Sequence, residues 1–92
     1  MPLYALPAEL TFDSASGVRR LALAALRTQT TPWAVDAGAL THFDSSALAL
    51  LLELRRAAPQ EQLDVRAAPA RLSDLAAAYG LEFLFDAAAA HS

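Results

Sequence analysis

The stretch Thr41-His42-Phe43-Asp44-Ser45-Ser46-Ala47-Leu48 decides how the chain is organised. Its polar centre, Asp44-Ser45-Ser46, separates a short apolar run that ends at Asp36 from a leucine-rich run over residues 48–54. Asp and Ser often cap helix N-termini, so a helix is predicted to begin here, capped by Asp44, Ser45 or both. A hydroxyl at a helix N-terminus is also a favourable position for a phosphate. The stretch therefore predicts a cap, a regulatory site, or both together.

The leucine-rich run predicts a helix that continues to about Ala58 and is stopped by Pro59. With about 100° per residue, one stripe of apolar residues would cover a sheet, and its members are Ala47, Leu50, Leu51, Leu54 and Ala58. Leu48 and Leu52, followed by Arg55, lie on the flank of this stripe. Two interpretations stay open: a wide buried face that includes both leucines, or a partly exposed flank that contacts a partner protein.

The residues before this helix predict two short extended pieces, a helix and a strand. The pieces lie near residues 3–6 and 9–13, and the first is expected at a sheet edge because Pro7 lacks an N–H. A helix follows Asp13-Ser14, and its predicted apolar face consists of Val18, Leu21, Ala22, Ala25 and Leu26. The apolar run 33–35 predicts a central strand, followed by a turn in which Gly38 can take a positive φ.

The residues after Pro59 predict one more strand and one more helix. Residues 63–67 alternate with period two, which is typical of a strand. Pro69 opens a helix that Gly80 terminates, and its predicted apolar face consists of Leu72, Leu75, Ala76 and Tyr79. Residues 81–85 predict a last strand or a tail docked on the core, and 87–92 are expected to fray.

The element order predicts an α/β fold: a small mixed, largely parallel sheet of about four strands with three to four helices packed on it. Strands that alternate with helices require crossover connections, which favour parallel pairing. With 92 residues, the chain is long enough for a single domain, predicted to span residues 1–92.

Composition argues against several classes of function. The net charge is −3 and the pI is near 5.1, which is unfavourable for nucleic-acid binding. Cysteine is absent, so disulfides and thiolate chemistry are excluded. The first four residues do not resemble a signal peptide, and no apolar run reaches the roughly 18–20 residues of a membrane span. The sequence therefore predicts a cytoplasmic protein without direct membrane insertion.

Catalysis is not expected from the candidate side chains. A Ser-His-acid triad can be written from Ser45, His42 and Asp44, but residues so close in sequence rarely point at one another. Asp36 and Asp44 could form a carboxylate pair, although an Asp after a strand more often accepts hydrogen bonds from turn amides. The three glycines are scattered, and no metal-ligand spacing is present. No catalytic residue, metal or cofactor is therefore predicted.

Residues 33–51 resemble the signature of STAS domains, the sulphate transporter and anti-sigma factor antagonist family. In that family an apolar strand ends at Asp or Asn, and a short turn precedes Asp-Ser/Thr-Ser/Gly-Gly-Leu at a helix start. The segments 8–10 and 78–81 are similar to two further family patterns. The chain departs from these patterns at Ala47 and Ala8, where the family has Gly.

The resemblance implies a STAS-like fold and a non-catalytic function exerted through a protein partner. In anti-sigma factor antagonists, a partner kinase phosphorylates the hydroxyl aligned with Ser45. In the lipid-asymmetry (Mla) ABC transporter, a stand-alone STAS subunit binds the cytoplasmic ATPase. The small size and the continuous leucine-rich helix of this chain favour the transporter subunit, which would be peripheral to the inner membrane through its complex.

The same resemblance implies roles for individual residues. Ser45 is the regulatory position and possible phosphoacceptor, with Asp44 and Ser46 as its neighbours. The partner is expected to contact the helix from Ser46 to Ala57, through the residues Leu48, Leu52, Arg55 and Arg56, and also the start of the third helix.

Overall fold

A computed structural model describes residues 3–29 and 32–85 of the chain. Its strands and helices are, in order, β1 (Tyr4–Ala5), β2 (Glu9–Leu10), α1 (Ala15–Leu26), β3 (Trp33–Asp36), β4 (His42–Phe43), α2 (Ser46–Ala57), β5 (Leu63–Arg66) and α3 (Ala70–Ala78). Short 3-10 turns cover Pro59–Glu61 and Glu82–Phe85. This order confirms the predicted α/β class. The predicted fraying of residues 87–92 falls outside the described residues.

The strands form two small sheets, and every pair in them is parallel. One sheet has the order β1-β3-β5, and the other pairs β2 with β4. Strand β3 lies in the centre of its sheet and β1 at an edge, as predicted. The first three residues of β3 are buried, which suits a strand that is covered on both faces.

Strand β4 was not predicted, since the sequence analysis assigned no strand between the turn at Gly38 and the start of α2. Its pairing is supported by the carbonyl oxygen of Ala8, which accepts hydrogen bonds from the N–H groups of Thr41 and His42 at 2.8 and 3.1 Å. Strand β2 is correspondingly shorter than the predicted extended piece. A two-residue strand is too short to show a period-two pattern, so sequence reasoning could not detect it.

The core is built mainly from leucine and alanine side chains of the helices. All five residues of the predicted α2 stripe are buried: Ala47, Leu50, Leu51, Leu54 and Ala58. Leu48 is also buried, with only 2% of its surface exposed, whereas Leu52 is half-buried against this core. The interpretation of a wide buried face is therefore confirmed for Leu48, and the alternative of an exposed flank is wrong for that residue.

Two residues that were predicted to lie in the core, one on α1 and one at the end of α3, face solvent. Leu21 is 62% exposed, because the buried face of α1 consists of Ala22, Leu23 and Leu26. At 100° per residue, Leu21 lies roughly 145° around the helix from the centre of that face. Tyr79 is 60% exposed, since α3 ends before it and only Leu72 and Ala76 of that helix are fully buried.

The two predicted glycine turns have different outcomes. Gly80 has φ of 72°, and the N–H groups of Gly80 and Leu81 donate to the carbonyls of Ala77 and Ala76, which is the Schellman pattern at a helix end. Gly38, which was free to take a positive φ, does not adopt one. Its N–H donates to Asp36 Oδ1 at 2.8 Å, and a Cβ there would lie 3.0 Å from that oxygen.

The segment after α3 resolves the choice between a last strand and a docked tail. Glu82–Phe85 forms a 3-10 turn that packs against β5 and α3, and Leu84 within it is buried. The docked tail is therefore confirmed for the part of the segment that the structure describes.

Candidate functional site

The carboxylate of Asp44 joins the start of α2 to the turn before α1. Its Oδ1 accepts a hydrogen bond from the N–H of Ser46 at 2.8 Å. Its Oδ2 accepts one from the N–H of Phe12 at 3.1 Å, across 32 positions of sequence. One side chain therefore caps α2 and fixes the backbone of the Phe12 turn beside it.

Ser45 does not cap the helix. Its backbone is already helical, with φ −64° and ψ −13°, and its side chain makes no cap hydrogen bond. The predicted cap is therefore supplied by Asp44 and not by Ser45. The N–H groups of Ala47 and Leu48 donate to the carbonyls of Asp44 and Ser45, which completes the first turn.

The pKa of the Asp44 carboxyl is lowered from its ordinary value of 3.8. The largest cause is the hydrogen bond from the Ser46 N–H, followed by that from the Phe12 N–H. Both donors bind the ionised carboxylate better than the neutral acid. The start of α2 consequently carries a fixed negative charge at neutral pH.

The hydroxyl of Ser45 is accessible beside this charge. Ser45 is exposed, and no hydrogen bond of its side chain to another residue occurs within ranges 3–29 and 32–85. Ser46 is half-buried, and its N–H donates to Asp44 Oδ1. Of the two serines, Ser45 is thus the one available to a partner molecule.

The structure does not assemble the triad that could be written from the sequence. His42 lies in β4 opposite Glu9 of β2, and its Nε2 is 3.9 Å from Glu9 Oε2. Both oxygens of Asp44 are occupied by backbone N–H groups and not by the imidazole. Asp36 accepts its hydrogen bond from the turn amide of Gly38, as an Asp after a strand was expected to do.

The predicted contact residues occupy three different environments. Leu48 lies in the core and so is removed from the accessible contact set. Arg55 is engaged internally: its Nη1 is 2.8 Å from Glu61 Oε1, and its guanidinium lies 4.9 Å from the centroid of the Phe83 ring. Arg56 is exposed, and Leu52 is half-buried. Of the four predicted contact residues, only Arg56 is exposed to solvent.

These residues do not form one cluster with Ser45. Eleven positions of α2 separate Ser45 from Arg56, which corresponds to roughly 16 Å along the helix axis. The serine marks the N-terminal end of the exposed α2 surface, and the arginine marks its C-terminal end.

Phe12 is the functional candidate that sequence reasoning missed. The alternation of Leu10 and Phe12 placed both on one face of an extended piece, but Leu10 is buried and Phe12 is 81% exposed. The chain turns after Leu10, so the two side chains diverge. The pair Asp13-Ser14 before α1 was the available signal that the strand had to end early.

The fold and the site together define a small α/β domain with an exposed serine at the start of a capped helix. Within the described part of the chain, no group of three His, Asp or Glu residues could hold a metal ion, and no helix is long and apolar enough to cross a membrane.

The chain belongs to the STAS family. The family model described as "Mlab, STAS domain" matches residues 5–86, which is nearly the whole chain. STAS domains are commonly non-catalytic domains that bind or regulate through protein–protein contacts. Neither the curated proteins nor the solved structures contain a significant match to the chain.

Proposed function

We propose that this chain is a non-catalytic regulatory subunit that docks on the cytoplasmic ATPase of a phospholipid-transporting ABC system. The observation that carries the proposal is the match of residues 5–86 to the Mlab-type STAS model. The protein would be cytoplasmic and peripheral to the inner membrane through its complex. It would bind no nucleic acid, metal or cofactor itself.

The start of α2 supports a contact role for this end of the domain. Asp44 holds two segments of backbone in place, so the surface around Ser45 is ordered before any partner arrives. An ordered surface loses less conformational entropy on binding than a loose one. Ala47, where the family has Gly, is buried inside α2, so its methyl group does not obstruct that surface.

Co-expression with an ABC ATPase of a phospholipid-transporting system from the same organism tests the proposal. The ATPase carries the affinity tag, and the wild-type chain is expected to co-purify with it. Ser45→Arg places a bulky cation at the exposed start of α2 and should weaken the complex at least about tenfold, as loss of a central interface position does. Ala77→Arg, at an exposed position of α3, is the matched control and should co-purify normally. A wild-type chain that stays alone would contradict the proposal.

The second candidate function is an anti-sigma factor antagonist switched by phosphorylation of Ser45. The observation that favours it is the exposed Ser45 hydroxyl at the N-terminal end of α2, where the helix dipole stabilises negative charge. The adjacent Asp44 opposes it, since that carboxylate is ionised and already accepts the Ser46 N–H. The transporter subunit is therefore the better supported of the two candidate functions.

A kinase assay separates the candidates. The chain is incubated with the cognate anti-sigma factor kinase and ATP, and phosphate is located by mass spectrometry. A phosphoryl group on Ser45 that is absent from Ser45→Ala would establish the switch. Unmodified Ser45 after complete turnover of a known substrate by the same kinase would remove this candidate.

A further inference from the structure

A groove runs between the N-terminal halves of α1 and α2, next to the Asp44 cap. It is an open groove of about 520 Å³, and its lining includes the small side chains of Ala15 and Ala49. The buried Leu50 and the exposed Phe12 also line it. Because the alanine side chains are small, the space between the two helices stays open. Larger side chains at the same positions would occupy it.

The groove combines an apolar interior with an ordered aromatic wall. Phe12 exposes most of its ring, although exposure of a large aromatic side chain is unfavourable in water. Its backbone is held by Asp44, so the ring stands beside the groove without further ordering of the chain. Aromatic side chains are enriched at the centres of protein interfaces, where they provide contact area at low entropic cost.

The charges at the rim of the groove are predominantly negative. Arg19 and Glu53 face each other across it, with 3.4 Å between Nε and Oε2, and so largely neutralise one another. Asp13 also lines the groove, and it has no ion pair among the residues that the structure describes. The ionised Asp44 lies just beyond the end of the groove. A complementary ligand would therefore present an apolar group next to a positive charge.

We propose that this groove is the anchor site for the protein partner: it accepts an apolar side chain of the partner, flanked by a Lys or Arg that faces Asp13. The inference rests on the proposed function, since the partner is the ABC ATPase. A groove of this size is only part of a stable interface, which typically buries about 800 Å² on each protein. The exposed surface of α2 would supply the remainder.

Three substitutions in the groove test the proposal by biolayer interferometry against the immobilised ATPase. Phe12→Ser removes the aromatic wall, Ala49→Trp fills the groove, and Asp13→Arg reverses the rim charge. Each position is exposed, so the fold should be retained, which circular-dichroism melting verifies. The first two should raise Kd at least about tenfold, as for other interface anchors, and the third should raise it several-fold.

Matched controls carry the same change outside the groove. Tyr79→Ser, Ala24→Trp and Asp74→Arg occupy exposed positions on other surfaces and should leave Kd within about twofold, as rim or remote changes do. If all three groove variants bind the ATPase with the wild-type Kd, the groove is not the anchor site, and the proposed function is unaffected. Absence of any wild-type complex would remove both.

A second copy of this chain is the competing occupant. Sedimentation equilibrium of the wild type and of Ala49→Trp distinguishes it. The anchor site predicts the same association state for both proteins. A wild-type dimer that Ala49→Trp converts to a monomer would assign the groove to self-association and overturn the proposal.

Discussion

At the scale of single residues, the Asp44 side chain links two segments of the chain. It accepts backbone hydrogen bonds from two segments that are 32 positions apart, and both bonds favour its ionised form. Sequence reasoning identified Asp44 and Ser45 as alternative caps. It could not choose between them, because the choice depends on whether Ser45 has extended or helical backbone angles.

The lowered pKa of Asp44 predicts how stability changes with pH. The pKa of Asp44 is lower in the folded state than in the unfolded state, so the ionised carboxylate stabilises the fold. This stabilisation is fully present at pH values above the ordinary pKa of 3.8. It is lost as pH falls through the folded-state pKa. Asp44→Asn keeps an oxygen that can accept one of the two N–H groups but carries no charge, so its stability should decline less steeply on acidification.

Urea denaturation followed by circular dichroism, at neutral pH and at several values below pH 4, measures this difference. Asp74→Asn, at an exposed site on α3, is the control and should follow the wild-type profile. Parallel acid profiles for the wild type and Asp44→Asn would show that the carboxylate does not stabilise the fold through its charge.

At the scale of secondary-structure elements, α2 was the most predictable part of the chain. Its apolar stripe and its stop at Pro59 follow from residue spacing and from the missing proline N–H. The face of α1 was predicted less well, since alanines at many positions leave its direction ambiguous, and Leu21 was placed inside. The bounds of the short strands β1, β2 and β4 were not predictable, because each strand depends on a pairing partner that is distant in sequence.

The burial of Leu48 predicts a large loss of stability when it is truncated. Leu48→Ala should reduce the free energy of unfolding by about 2–5 kcal/mol, because a buried cavity is left behind. Leu21→Ala is the matched control on an exposed face and should change it by no more than about 0.5 kcal/mol. Urea titration compares the two. Equal effects would contradict the assignment of Leu48 to the core.

Replacement by alanine is expected to have opposite effects on stability at two of the glycines. Gly80 has φ of 72° with open space around it, so Gly80→Ala should cost roughly 1 kcal/mol through backbone strain alone. Gly17 lies inside α1 with equally open space, so Gly17→Ala should stabilise by roughly 0.5–1 kcal/mol. Thermal melting of both variants checks the signs. Stabilisation by Gly80→Ala would contradict its role in terminating α3.

At the scale of the whole molecule, the domain has a parallel α/β framework with its candidate site at one end of two neighbouring helices. The α/β class and a helix start at Asp44-Ser45-Ser46 were predictable from the sequence, because both depend on local patterns. The division into two sheets and the groove beside Phe12 were not. The sheets depend on pairings between strands that are distant in sequence, and the groove lies where the β2–α1 turn meets the start of α2; no local pattern encodes either arrangement.

The absence of an assembled triad predicts that the isolated domain does not hydrolyse esters. His42 faces Glu9, and the Asp44 oxygens are occupied by N–H donors, so neither of these two side chains activates the Ser45 hydroxyl. A panel of activated esters should give the same background rate with the wild type and Ser45→Ala. Turnover that is lost in Ser45→Ala and in His42→Ala would contradict this prediction.

If the domain docks on a protein partner through the start of α2 and the adjoining α1 surface, backbone amides there should exchange more slowly in the complex. The decisive measurement is amide hydrogen exchange of the chain, read by mass spectrometry, with and without the ABC ATPase of a phospholipid-transporting system from the same organism. Slower exchange is expected in segments 11–19 and 44–53 of the complex. Slower exchange confined to β5 and the 3-10 turn Glu82–Phe85, with no change at the start of α2, would contradict docking through this surface.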